Sequence, residues 1–302
     1  MSHKGMSRRM QGNLLLALTA AIWGFAFVAQ KEGGAEMGAL TFNGVRSVLG
    51  GGLLLMLLPL LDRAGLTHRP TTPQEKKTLW QGGILCGLAL FAATNLQQLG
   101  LLTTTAGKGG FITALYIVLV PLFGLCIGRR TTLFNWLGAA LAVAGLYLLC
   151  MQGESGMVSG DLLILACAPV FAVQILLVDH YAPRTDGVRL ACIEFFTVGI
   201  LNMPLMLALE QPSVGAMLDC WQSLLYAGLL SSGVAYTLQI VAQKHTHPVT
   251  ASVLMSFESV FAVLAGVLIL GDRMTPWEIF GCVIMFAAVI LAQLPTPRKK
   301  GT

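Results

Sequence analysis

Ten apolar stretches, each close to the length of a membrane-crossing helix, follow one another along this chain with short polar connections between them. They run over 14–30, 39–61, 80–102, 109–127, 133–151, 161–178, 188–209, 220–242, 249–270 and 277–294. Hydrocarbon holds no water to bond an exposed backbone, so each stretch is expected to close its own hydrogen bonds as a helix. The fold class expected is therefore an all-α integral membrane protein of ten transmembrane helices.

Composition agrees. Only 11% of the 302 residues are charged, 55% are hydrophobic, and the mean hydropathy is +0.74. A soluble domain carries about 25% charged residues. The net charge of +5 comes from short basic clusters between the apolar stretches, which is a topology signal and gives no support to nucleic acid as a partner. The seven cysteines show no CxxC or Cys/His ligand spacing, and His245-x-His247 beside Pro248 is too short for a metal site, so no metal, cofactor or disulfide framework is expected. The first stretch follows Lys4, Arg8 and Arg9 but ends in Gln30-Lys31-Glu32 without a small-x-small site, and reads as a span, not a cleaved leader.

The distribution of basic residues sets the topology. With ten spans and a cytoplasmic N-terminus, 15 of the 19 Lys and Arg residues fall on the cytoplasmic side. Three (Lys31, Lys108 and Arg273) fall outside, and Arg46 lies within a span. Losing one span would reverse every later loop and destroy that split. Both termini are thus expected in the cytoplasm of a multi-pass protein in a bacterial-type inner or plasma membrane.

A motif divides the chain. Gly-x-Arg-x-Thr-x5-Gly occurs as Gly128, Arg130, Thr132, Gly138 and again, 143 residues later, as Gly271, Arg273, Thr275, Gly281. Each copy joins one apolar stretch to the next. Five spans apart, the copies fall on opposite faces, which makes the second half an inverted copy of the first. The expected organisation is a tail over 1–13, a five-helix repeat over 14–151, an outer linker over 152–160, a second repeat over 161–294, and a tail over 295–302. Fainter echoes pair Phe25-Ala26-Phe27-Val28-Ala29-Gln30 with Phe171-Ala172-Val173-Gln174, and Gln97 with Gln239.

The chain resembles the EamA-type members of the drug/metabolite transporter superfamily. The residues carrying the resemblance are Trp23-Gly24 with Lys31, then Arg46, Leu115 to Pro121, and Phe257 to Ala262 followed by Leu270-Gly271-Asp272. It departs at Asp272, where many members have Glu, and in lacking a Pro near Ser259. The resemblance implies two inverted five-helix repeats and export of small metabolites, such as amino acids or related compounds.

In such a fold the substrate site lies near the midplane between the repeats. Ionisable residues within spans point to it, because each is costly if it faces lipid. Arg46 and Glu194 fall a few ångströms either side of the midplane. They either face a central cavity, pairing directly or through substrate, or form a structural ion pair. Glu258 is a candidate for proton coupling, or a neutral hydrogen-bonding group. Asn95, Gln97, Gln174 and Gln239 offer neutral hydrogen bonds to a substrate or between helices. Trp23, Tyr116 and Tyr236 offer stacking surfaces or core packing. Lys31 and Lys108 mark the outer membrane surface. The glycines of 50–52, 82–83 and 124/128 suit close helix approach, and Pro121, Pro169 and Pro204 suit kinks or hinges.

No Walker motif or nucleotide-binding domain appears, so ATP-driven pumping is not expected. HExxH and GxSxG are also absent, which argues against an intramembrane enzyme. The expectation is a secondary transporter with a small-molecule substrate in a lipid bilayer, with a non-transporting receptor or scaffold as the alternative. Substrate identity and oligomeric state are not encoded in any feature of the sequence.

Overall fold

The computed structural model describes residues 8–129, 131–150, 158–265, 268 and 275–294. Among these, every regular element is helical. The elements are α1 (Arg8–Met37), α2 (Ala39–Arg63), α3 (Pro73–Leu101), α4 (Ala106–Ala114), α5 (Tyr116–Cys126), α6 (Leu133–Cys150), α7 (Ser159–Tyr181) and α8 (Gly187–Leu209). Then come α9 (Val214–Asp219), α10 (Trp221–Leu225), a wide π-helical run (Tyr226–Ala235), α11 (Tyr236–Gln243), α12 (Pro248–Met255), α13 (Glu258–Ala265) and α14 (Pro276–Gln293).

Eight helical stretches are long and apolar enough to cross a membrane, counting α4–α5, α10–α11 and α12–α13 as one each. Two shorter apolar helices, Leu133–Leu148 and Pro276–Ala292, lie where the fifth and tenth spans are expected. Several motif and signature residues (Arg130, Gly271, Arg273, Leu270 and Asp272), most of the 152–160 linker, and the basic residues of both tails beyond Arg8 and Arg9 lie outside the described residues.

Polar contacts sort the helix ends onto two faces. At the proximal end, where α1 begins, Arg189 at the start of α8 grips Asp62 at the end of α2 with both carboxylate oxygens, at 2.6 and 2.7 Å. Arg129 pairs with Asp179 there, and Lys244 Nζ donates to the Thr185 carbonyl at 3.0 Å. At the distal end, Glu210 just past α8 accepts from the Leu40 and Thr41 N–H groups at 2.9 and 2.6 Å. A carboxylate at a helix N-terminus also meets the positive end of the helix dipole. Gly38 makes this cap feasible. Its φ is 87°, and a Cβ there would lie 2.6 Å from the Glu210 carboxylate. So α2 and α8 each hold the other's first turn, at opposite ends.

Lys108 differs from expectation. It is buried, 4% exposed, and pairs with Asp161 at 2.7 Å. Asp161 also accepts from Thr104 Oγ1 at 2.6 Å and the Val158 N–H at 2.9 Å. Its position near a span end is as the sequence indicates, but α7 packs over it, so it cannot mark a lipid surface.

The described residues of the repeated motif have two jobs. Thr132 and Thr275 cap α6 and α14, each accepting from the N–H three residues on at 3.2 Å. The reciprocal bond comes from Asn135 in the first copy and Glu278 in the second. The glycines bring α6 and α14 together: a Cβ on Gly138 would sit 3.0 Å from Ala292 Cβ, and one on Gly145 3.0 Å from the Gly281 carbonyl. Gly128 is a turn residue with φ 76° and no close neighbour, and Gly124 meets nothing nearer than 3.6 Å, so this pair does not serve helix approach.

Small residues elsewhere set backbone distances. A Cβ on Gly24 would lie 2.6 Å from the Glu258 carbonyl and 2.3 Å from Phe261 Cβ, whereas one on Gly52 would meet nothing. Gly24→Ala therefore forces α1 from α13 and is expected to cost about 1–3 kcal/mol. Gly52→Ala is expected to be neutral or slightly stabilising. Thermal unfolding of both variants in one detergent checks the contrast.

Candidate functional site

Three of the membrane-length stretches form helices that break or widen along their length. Helix α4 passes to α5 through Leu115, whose N–H bonds back to Ile112 O, while its own carbonyl accepts from Val118. Helix α12 passes to α13 through Ser256 and Phe257, with the same three-residue bonding from Phe257 to Leu254 and from Ser259 to Ser256. Such overwound turns inside helices commonly mark hinges. The 143-residue shift of the motif carries Leu115 onto Glu258, so the two breaks occupy matching places. Neither break contains Gly or Pro, so the sequence gives no sign of them.

The π-helical run widens the stretch from Trp221 to Gln243. Trp23 Nε1 donates to the Ser231 carbonyl at 3.4 Å and Thr19 Oγ1 to the Ala235 carbonyl at 3.2 Å, so α1 covers the loosened ladder. Gly228 and Gly50 let α2 approach this run. A Cβ on Gly50 would lie 2.8 Å from Ser232 Cβ.

These irregular segments, with α1, α2, α3 and α7, line one cavity. Trp23, Arg46, Gln97, Tyr116, Gln174, Tyr236, Gln239 and Glu258 all line it. Its polar wall is ordered. Tyr116 Oη donates to Glu258 Oε1 at 3.2 Å, and Gln97 Nε2 to Thr113 Oγ1 at 3.1 Å. Gln239 Nε2 donates to Gln174 Oε1 at 3.3 Å, and Gln174 Nε2 donates in turn to Glu194 Oε1 at 2.9 Å. Tyr236 packs between Trp23 and Phe195, with ring centroids 4.5 and 5.4 Å away. Water has about 30 Å³ of room inside, enough for a few molecules at most.

Two expected residues stand apart from the lining. Asn95 accepts from Asn43 Nδ2 at 2.8 Å, and holds α3 to α2. Glu194 is fully buried behind Gln174. It makes no direct ion pair with Arg46. Arg46 instead lies over the Phe42 ring at 5.6 Å. Lining residues not picked out from the sequence as site residues include Phe27, Gln30, Thr113, Phe171, Ser231 and Met255. A signal for some of them exists, since Phe27 and Gln30 lie in one echoed run and Phe171 and Gln174 in the other, and all four face the cavity.

A polytopic helical bundle with a buried polar cavity between broken helices defines a membrane protein built to handle a solute away from bulk water. The comparisons make the class specific. The model of the EamA-like transporter family matches the chain twice, over residues 10–151 and 158–294. This chain belongs to the EamA-like transporter family. An uncharacterized transporter of Archaeoglobus fulgidus is 31% identical over 290 residues, covering 95% of this chain and 87% of the relative. The uncharacterized inner membrane transporter YedA of Escherichia coli K12 is 28% identical over 283 residues, covering 89% and 87%. A solved crystal structure with 18% identity matches the fold with a TM-score of 0.76, covering 93% of this chain and 96% of the other.

The Gln239–Gln174–Glu194 chain generates a stability prediction. Gln174→Leu leaves two buried partners unsatisfied and is expected to cost roughly 2–6 kcal/mol, at about 1–3 for each group. Glu194→Gln still offers a carbonyl to Gln174 and is expected to cost little. Thermal melts of the two purified variants separate these outcomes.

Proposed function

We propose that this protein is a secondary transporter that carries a small polar metabolite through the central cavity by alternating access, with export as its direction. In this reading ten helices cross a bacterial-type inner membrane, with both termini in the cytoplasm. They form two inverted five-helix repeats over 14–151 and 161–294, joined by an outer linker over 152–160, with tails over 1–13 and 295–302. The proximal end is then cytoplasmic. Trp23, Arg46, Gln97, Tyr116, Gln174, Tyr236, Gln239 and Glu258 meet the solute, and Asn95 and Glu194 support them from behind. Amino acids and related compounds are the first solutes to test. Glu258 couples movement to protons, and no catalytic step is involved.

The observation that carries the reading is the cavity itself, lined from both halves at matching positions. Helix packing adds support. Exchanging the halves preserves the main packed pairs: α2 against α8 and α6 against α14 are contacts between counterparts. The packing of α3 on α7 is matched by that of the α10–α11 stretch on α1, and α4–α5 on α7 by α12–α13 on α1. Such symmetry lets the same two sets of contacts alternate at the two faces. The bonds of Asp62 with Arg189 at one end, and of Glu210 with α2 at the other, stand where opposite gates are needed.

Purified protein in liposomes tests the reading. Counterflow of labelled amino acids and related metabolites is expected above that of protein-free vesicles, and faster with an imposed proton gradient. Glu258→Gln is expected to remove the acceleration by the gradient. Solute binding without flux would instead identify a receptor, and acceleration that survives Glu258→Gln would remove the coupling role.

A further inference from the structure

The central cavity holds a cation that no residue among those described pairs with. Arg46 is 3% exposed and lines the cavity, yet its guanidinium makes no hydrogen bond or ion pair among the described residues. Its guanidinium carbon lies 5.6 Å from the centroid of the Phe42 ring. A guanidinium carries five N–H donors in a planar fork and keeps its charge. Burying it without an anion costs several kcal/mol. No carboxylate among the described residues pairs with it. Glu194 is engaged by Gln174, outside the lining, and Glu258 is held by Tyr116. Arg46 and Glu258 are the two charged side chains among the described lining residues.

We infer that the transported solute presents a carboxylate to Arg46, which makes this residue the determinant of substrate class. A carboxylate matches the guanidinium fork with two parallel hydrogen bonds and supplies one negative charge. With Glu258 also in the lining, a single carboxylate adds less net negative charge to so small a space than a phosphate dianion does. The aromatic wall of Trp23 and Tyr236 suits an apolar remainder of the solute. This assignment rests on the reading of the cavity as the transport site.

The test uses the full chain in proteoliposomes with L-phenylalanine and phenylacetate, their carboxamides, and inorganic phosphate. The carboxylates are expected to move and the carboxamides to move at least tenfold more slowly. Arg46→Gln is expected to lower kcat/KM for the carboxylates about 100-fold, as for truncating one partner of a buried charge pair. Arg46→Lys is expected to retain flux with a raised KM. Thermal melts read out a separate consequence: Arg46→Gln removes an unpaired buried charge and so keeps or raises the melting temperature, and phenylacetate raises it for the wild type alone. Carboxamides moving as fast as carboxylates, phosphate preferred over both, or Arg46→Gln transporting carboxylates like the wild type would overturn the assignment while leaving the transporter standing. No flux of any solute, with binding or without it, would overturn the transport reading and this assignment together. A collapse in melting temperature for Arg46→Gln, without loss of carboxylate preference in Arg46→Lys at raised solute, would reassign Arg46 to structure.

Discussion

A backbone carbonyl freed inside a membrane-embedded bundle has to find a donor within the protein, and most of this site follows from how that is done. The π-helical run from Tyr226 to Ala235 opens the hydrogen-bond ladder of its stretch, and α1 covers it with Thr19 and Trp23. Trp23 thereby acquires a fixed orientation, and its ring meets Tyr236 as one wall of the cavity. Gly24, the next residue, brings α1 onto the turn that begins α13 and presents Glu258. Three consequences of one helix position (a satisfied ladder, an aromatic wall and a placed carboxylate) thus depend on two adjacent residues.

The charged contacts differ in weight. Arg69 is largely exposed and adds little to Asp62, as expected of a solvated pair. Arg189 is mostly buried and holds both oxygens of the same carboxylate, which fixes geometry as well as energy. Lys108 and Asp161 are buried together, so the pair matters mainly through what its breakage would strand: a lone buried charge costs about 3–5 kcal/mol. These contacts define where the ends of α2, α7 and α8 sit, and so the walls of the cavity between them.

Much of this was legible in the sequence. Apolar length and the spacing of the loops located the helices, because a hydrocarbon solvent leaves the chain few alternatives. The breaks after the third and fourth stretches fall at Thr105 and Gly128, where a cap and a positive φ require them. Eight of the ten expected site residues share one cavity, since polar groups in spans have few other places to be. What stayed hidden depends on packing partners. Nothing in Ala114-Leu115-Tyr116 or Met255-Ser256-Phe257 announces a broken helix, because the break is imposed by neighbouring helices and not by local propensity. Asn95 and Gln97 are two residues apart, yet only the second faces the cavity, and that difference comes from helix rotation, which a nearly uniform apolar sequence does not encode.

The small volume of the cavity has a thermodynamic consequence. A solute larger than a few waters must separate helices before it can touch the residues that line the cavity. Only the fraction of molecules already separated is competent to bind, and the measured affinity falls by that fraction. Weak equilibrium binding is then compatible with close recognition. Discrimination by size would arise from the free energy of parting the helices more than from the shape of a ready-made pocket.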